Sequence, residues 1–304
     1  MIGTQFRTRS KALLEMLKEA AANFSADKAP ALAAALSYFT IFSLPPLLLI
    51  VIAVAGLAFG SAAASGSLVD QFQGYVGREG ASVIQTMIRN ASRPKSGIIA
   101  ASVSLILMII GATGVFTSLQ EALNTIWKVR RKPAATLTAV FDTLKFRLRS
   151  LCLVLVIGTL LLASLILSAV LAAFAGLLQQ WLPVPVIIVH LLQLADLLLS
   201  FGVMTLLFGM MFKFIPDIKL AWRSVLTGAA MTAALFSVGK ILMGIYLGRG
   251  AVGSVYGAAG SLAVVLLWVY YSSMILLFGA EFTKVWVRRH GHQIKLAEGA
   301  ETMS

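Results

Sequence analysis

Residues 257–280 read GAAGSLAVVLLWVYYSSMILLFGA, a run from Gly257 to Ala280 without a single Asp, Glu, Lys or Arg. A helix that crosses a bilayer needs roughly 20 mostly apolar residues, and this run supplies them. Four more stretches qualify on the same ground: Gly97–Gln120, Leu151–Gly176, Val186–Phe212 and Ser224–Leu247. A sixth, residues 31–59, is interrupted by Pro45-Pro46. Proline removes a backbone donor and crowds the preceding turn. This span is therefore expected to kink, or to divide into a short entering helix, Ala31–Phe42, and a spanning helix, Leu44–Phe59. Runs this long without alternation do not fit barrel strands. The expectation is an all-α integral membrane protein: a six-transmembrane-helix bundle with a Pro-broken first span and short amphipathic helices at both faces.

Composition agrees. Counted with glycine and without tyrosine, about 65% of the 304 residues are apolar, against roughly 45–50% in a soluble domain. Charged residues make up 12%, about half of the roughly 25% usual in soluble chains. These values exclude a secreted disulfide scaffold, a disordered chain and an ordinary cytosolic enzyme. The single Cys152 excludes an internal disulfide or a cysteine metal cluster.

The 25 basic residues then orient the spans. Nineteen fall in four segments predicted to share one side: the leader 1–30, the connections 121–149 and 213–223, and the end of the chain from Lys284 on. Five fall on the other side: Arg78, Arg89, Arg93, Lys95 and Arg249. Cytoplasmic loops collect Lys and Arg, so both termini are expected in the cytoplasm. The first thirty residues lack a continuous apolar core, so the first span itself should act as the insertion signal. In this organisation, residues 1–30 form a basic amphipathic leader, 31–290 the transmembrane domain and 291–304 a tail. Leu13, Leu17, Ala20, Ala21 and Phe24 recur at helical spacing, which suits either an anionic cytoplasmic leaflet or a solvated leader. Residues 61–96 carry two similar groups, Leu68, Phe72, Tyr75 and Val76, then Val83, Ile84, Met87 and Ile88. They read as a pair of short helices capping the extracytoplasmic face.

Catalytic inventory is thin. His290 and His292 fall short of the three or four ligands of a metal site, and no phosphate loop, nucleophile elbow or zinc-hydrolase motif occurs. No catalytic residue, cofactor or metal is assigned. The basic residues follow topology and form no RNA-binding module, so nucleic acid is not an expected partner.

Ionisable groups inside spans carry more weight, because each costs about 2.5–3.5 kcal/mol at mid-bilayer on insertion scales. Asp196 lies about 15 Å below the outer end of its span and Lys240 about 10 Å below the outer end of its own. The two could pair if their helices face each other; Lys240 could equally snorkel outward while Asp196 is hydrogen-bonded. Trp268, Tyr270 and Tyr271 sit near mid-span, where their polar tips need partners and hint at an interior polar pocket. At the cytoplasmic ends, Glu121, Asn124, Arg147, Asp217 and Glu281, with Lys213, Arg149 and Arg223, could form a polar ring. That ring is either a set of ion pairs fixing helix ends or a gate or headgroup site. Gly56/Gly60, Gly244/Gly248 and the Gly228, Ala229, Ala233 set suit close helix packing.

The stretch from Leu36 to Pro46, LSYFTIFSLPP, resembles the opening motif of the YihY/BrkB family of bacterial membrane proteins. Three further stretches agree in order: Gly111–Phe116 through Leu123–Trp127, Phe214–Asp217, and Tyr256–Ser261 through Leu267–Tyr271 to Gly279–Phe282. The match covers about residues 25–290. The resemblance implies a six-helix inner-membrane protein. Members have carried a ribonuclease label, apparently misassigned, and a virulence role in serum resistance; suggested activities include lipid or lipopolysaccharide movement and cation/proton exchange. By membership alone, Ser37, Tyr38, Pro45, Asn124, Trp127, Asp217, Lys240, Tyr256, Tyr271 and Glu281 become motif positions.

The expected function is a transporter or translocation factor for an amphipathic envelope lipid, phospholipid or lipopolysaccharide-like. Its candidate cavity residues are Ser37, Tyr38, Asp196, Lys240, Tyr256, Trp268 and Tyr271, beside the kink at Pro45 and Pro46. One alternative is a cation/proton antiporter with Asp196 or Glu281 carrying the proton. Another is a scaffold that recruits an envelope protein through its basic face. Membrane lipid and the anionic leaflet are the expected partners, and a homo-oligomer is left open. Ribonuclease activity is not expected, since nothing resembles a site for phosphodiester cleavage.

Overall fold

The computed structural model describes residues 2–59, 81–86, 88–89, 114–132, 186–248, 260–291, 294–297 and 299–303, with single helical positions between 66 and 73 and between 152 and 170. In chain order these form α1 (Ile2–Ala26), α2 (Ala29–Phe59), a helical stretch 114–126, β1 (Val129–Arg131), α3 (Val186–Phe214), β2 (Ile218–Lys219), α4 (Trp222–Gly248), α5 (Gly260–Arg289), β3 (Lys295–Leu296) and β4 (Ala300–Thr302). The chain is mostly helical, as its composition requires. Within α3, α4 and α5, the segments His190–Phe214, Trp222–Tyr246 and Leu262–Arg289 are long and apolar enough to cross a membrane. The spans read at Gly97–Gln120 and Leu151–Gly176 lie largely outside the described residues, so the count of six rests on sequence. Of the cap at 61–96, the described part includes helix at 81–86, with Ile84 and Ile88 buried.

The division of the first span at Pro45-Pro46 is not found: α2 runs as one helix of 31 residues from Ala29 to Phe59. Proline's fixed φ is itself helical; what it removes is donors. The carbonyls left without a donor are those of Ile41 and Phe42, and in hydrocarbon the rest of the helix keeps its internal bonds because no water can replace them. Thr40 Oγ1 donates to the Leu36 carbonyl at 2.7 Å and Ser43 Oγ to that of Phe39 at 3.0 Å, on the turns just before the prolines. Ser37 is turned the same way, toward the Ala34 carbonyl at 2.8 Å.

Helices α4 and α5 meet along a seam of small residues. Gly228 lies against Thr283 and Gly279 against Thr232, so that a Cβ on either glycine would fall on the facing threonine side chain. Each threonine also bonds back along its own helix, Thr232 Oγ1 to the Gly228 carbonyl at 2.7 Å and Thr283 Oγ1 to that of Gly279 at 2.6 Å. The hydroxyls are thereby satisfied without water while the backbones approach closely. Farther along, Tyr271 covers Gly239 and Trp268 meets Phe236 edge-on at 6.0 Å. Helix α3 packs on the other flank of α4 through Phe208 and Phe236, 5.6 Å apart, and α2 packs on α5.

One face of this bundle gathers α1, the connection 114–132, the connection 215–221 and the end of the chain; it is called the terminal face below. Met16 and Ala20 of α1 are buried against Phe282 and Val285 of α5, and Glu19 pairs with Arg288 and, at 2.8 Å, with Arg289. Leu13 and Leu14 remain exposed. At 1.5 Å per residue the 30 residues of α5 extend about 45 Å, well beyond a hydrocarbon core of roughly 30 Å. The surplus length carries the charges that hold α1.

Two short antiparallel ladders depart from an all-α description. β4 pairs with β1, setting Glu301 opposite Arg130, and β3 pairs with β2. The tail thus crosses from one inter-span connection to the other. Gly299, at φ 79°, supplies the left-handed turn between its two strands. Beyond the ladders, Met303 N donates to the Lys128 carbonyl at 2.8 Å and Ala297 N to that of Asp217 at 3.0 Å.

Candidate functional site

Polar groups collect in two clusters at the terminal face. The first is built around Asp217. Helix α3 stops just before Ile215-Pro216, proline being a common stop beyond a helix end, and the next residue is held through its amide, its carbonyl and Oδ2. Asn124 Nδ2 donates to Asp217 Oδ2 at 2.9 Å, and the Asp217 amide returns a bond to Asn124 Oδ1 at 2.9 Å. Gln120, one turn before Asn124, adds a third bond at 3.1 Å, while the Asp217 carbonyl takes the tail amide of Ala297. One buried aspartate therefore ties the helix 114–126 to the α3–α4 connection through its carboxylate and amide, and the tail through its main-chain carbonyl.

Asp27 organises the second cluster. It sits between α1 and α2, where Lys28 takes a left-handed φ of 52°. Lys128, also left-handed at φ 55°, ends the helix 114–126 and pairs with Asp27 Oδ1. Lys284 of α5 reaches Asp27 Oδ2 at 3.4 Å and Glu281 Oε2 at 3.3 Å. Burial by itself would raise the Asp27 carboxyl. Its hydrogen bonds with Lys128 and Glu281 and the charges of Lys284 and Lys128 outweigh that and hold it below the ordinary aspartate value. Glu281 is fully buried.

The polar ring expected from sequence is thus divided. Asn124 and Asp217 come together, Glu281 joins Asp27 instead, and Glu121 is exposed, its main-chain carbonyl accepting from Thr125. Lys213 donates to the Leu220 carbonyl and lies 5.9 Å from the Trp222 ring. Arg147 and Arg149 lie outside the described residues. Asp27 and Gln120 were not singled out by sequence reading. An acid beside Lys28 and Pro30 reads as a helix-junction cap, and only its partners 101 and 257 positions away reveal more.

Toward the opposite end the surface changes character. Asp196 is half-buried on α3 and flanked by Leu197 and Leu198, exposed by 64% and 62%. Lys240 is exposed on α4 among Val238, Ile241 and Leu242. The two helices pack against each other. Asp196 stands 18 residues before Phe214 and Lys240 stands 18 after Trp222, so both lie about 27 Å along their axes from the shared connection. Trp268 is buried and Tyr271 half-buried in the α4–α5 seam. Tyr38 is not brought to them: it is 58% exposed on α2, its ring 4.9 Å from that of Phe42. Ser37 is buried in its own helix, and Tyr256 lies outside the described residues. In the tail, His290 stacks on Trp286 with ring centroids 3.9 Å apart.

Comparison with known proteins places this architecture. The family profile described as virulence factor BrkB matches residues 20–303, taking in the last two turns of α1 and the paired tail. A UPF0761 membrane protein of Tolumonas auensis is 30% identical over 264 residues, covering 84% of this chain and 80% of that protein. A UPF0761 membrane protein of Ralstonia nicotianae is 31% identical over 261 residues, again 84% of this chain but 54% of the longer relative. One from Pseudomonas paraeruginosa is 27% identical over 288 residues, 91% of this chain and 65% of its own length. The chain therefore spans little more than half to two thirds of these two longer relatives. No solved structure matches. With its apolar helices and a profile match over nearly its whole length, the chain belongs to the BrkB virulence-factor family of membrane proteins.

Proposed function

We propose that the protein translocates an amphipathic envelope lipid across the bacterial inner membrane, with the terminal face toward the cytoplasm. The observation that carries this reading is the mixed surface shared by α3 and α4. An acid and a base, Asp196 and Lys240, stand at matching heights on packed helices among exposed leucine, valine and isoleucine. A small hydrated ion gains nothing from such aliphatic surroundings, whereas a molecule with a charged head and acyl chains meets both chemistries at once. The nineteen basic residues of the terminal segments support the orientation. Reconstitution into vesicles with a labelled phospholipid tests the activity. Flip rates above those of empty vesicles, lowered by Lys240→Ala and Asp196→Asn, are expected. Rates equal to empty vesicles across several lipid classes would refute it.

A second reading, cation/proton exchange, is favoured by one feature: the fully buried Glu281, which shares Lys284 with Asp27. It requires pH-linked cation flux that disappears in Glu281→Gln; full retention of that flux in the variant would remove Glu281 from the role.

A further inference from the structure

The ladder between β2 and β3 sets Lys219 directly opposite Lys295. Opposed residues of an antiparallel pair leave the ladder on the same side, with Cβ atoms about 4.5–5.5 Å apart, and like charges in that position repel. Both lysines are exposed. Of the acids near them in sequence, Asp217 has its carboxylate turned to Asn124 and Gln120, so it does not neutralise the pair, and Glu298 lies outside the described residues. Nor does Lys213 compete for the same anion, being spent on the Leu220 carbonyl. Arg223, four positions after Lys219, is exposed as well. Exposed apolar groups lie nearby: Trp222 at the start of α4 and Ile294 before Lys295, while Leu296 leaves the ladder on its other side, with Ile218.

This is a chemical combination with a specific complement. The patch lies where α3 ends and α4 begins, the level at which two apolar helices leave hydrocarbon. Tryptophan at that level belongs in the headgroup region, and clustered Lys and Arg there attract anionic lipid. A phosphate placed between Lys219 and Lys295 converts a repelling pair into two attractive contacts. Acyl chains below it would meet Trp222.

We propose that Lys219 and Lys295, assisted by Arg223, bind the phosphate of an anionic phospholipid in the leaflet bordering the terminal face, and that this lipid fastens the tail to the α3–α4 connection. The site is separate from Asp196 and Lys240, so a failure of lipid flipping leaves it standing.

The full-length protein in nanodiscs of phosphatidylcholine, with or without phosphatidylglycerol, tests it by hydrogen exchange at 218–220 and 295–297. Phosphatidylglycerol should slow exchange in the native protein several-fold, and inorganic phosphate added to phosphatidylcholine discs should not. In phosphatidylcholine, Lys295→Gln and Lys219→Gln should exchange as slowly as the native chain or more slowly, because the repulsion is gone. In phosphatidylglycerol each should lose the slowing and bind the lipid about fivefold more weakly, the effect of one basic residue at an anionic surface. The proposal is overturned by native exchange that ignores lipid charge, by variants that keep the slowing, by variants that loosen the tail equally in both lipids, or by inorganic phosphate alone producing the effect.

Discussion

The two ends of the bundle are built on different solvents. At the terminal face Leu277, Ala280 and Phe282 of α5 and Val225 and Ala229 of α4 are buried almost completely, and two aspartates, Asp217 and Asp27, each hold three segments together, Asp217 by side chain and main chain. At the other end the same α4 exposes Val238, Ile241, Leu242, Ile245 and Tyr246, and α3 exposes Leu191, Leu194, Leu197 and Leu198. A water-soluble protein could not leave so much apolar surface open; a chain dissolved in acyl tails can, because lipid is as apolar as leucine. The difference teaches where folding specificity resides. Where α4 and α5 meet the terminal segments, the helices are fixed by close packing and paired charges. Toward the other end the seam between α4 and α5 stays packed, but the outward faces of α3 and α4 need only stay apolar.

Two glycines on one helix test this most directly. Gly228→Leu forces a side chain onto Thr283 across the α4–α5 seam, and overpacking of this kind should cost about 3 kcal/mol. Gly244 has nothing within 4 Å of an added Cβ, so Gly244→Leu should stay within about 0.5 kcal/mol. Thermal unfolding of the purified protein in detergent measures both. Equal effects would mean that the two ends are packed alike.

Next in size stands Asp217→Ala, which takes the acceptor from Asn124 Nδ2 and Gln120 Nε2 and so removes two side-chain bonds. A loss of about 2 kcal/mol is expected. The main-chain carbonyl that takes the Ala297 amide survives the substitution, so tryptic cleavage after Lys295 should rise only modestly. Glu121→Ala, at an exposed position in the same region, should change neither quantity.

The Asp27 tie adds a pH dependence. Its folded-state pKa is held below the ordinary 3.8, so its stabilisation is complete above that value and is lost as pH falls through the lower folded one. The difference in unfolding temperature between the native chain and Asp27→Asn should therefore shrink as pH falls below about 4. A difference that persists unchanged into stronger acid would show that the carboxylate's charge contributes nothing.

How much of this could be read beforehand follows the same division. The spans at 186–212, 224–247 and 257–280 were legible because apolar length is a local property; the structure extends them by a few residues, or by nearly ten at Arg289. The continuity of α2 was not, since proline chemistry in water argues for a break that hydrocarbon suppresses. Asn124, Asp217 and Glu281 were recognisable as polar groups at span ends, but their pairing was not. Asn124 and Asp217 are 93 positions apart, and nothing local distinguishes Asp217 bound to Asn124 from Asp217 bound to Lys213 or Arg223. The tail strands are two and three residues long, too short to show any alternation, and they exist only because two distant connections offer them edges.

The smallest effects belong to the exposed end, and they bear most on what surrounds it. Leu197→Ala and Ile241→Ala remove side chains that are more than 60% exposed, so each should shift stability in lipid by no more than about 0.5 kcal/mol. Leu277→Ala, fully buried at the other end, should cost about 2–5 kcal/mol. The measurement that matters is the exposed pair repeated at several protein-to-lipid ratios. Acyl chains accept an alanine as readily as a leucine, so no dependence on ratio is expected. A loss above about 1 kcal/mol that grows as protein becomes concentrated would mean that a second copy of the chain, rather than lipid, covers α3 and α4. The aliphatic surroundings of Asp196 and Lys240 would then be an interface between subunits, and the lipid path would have to run elsewhere.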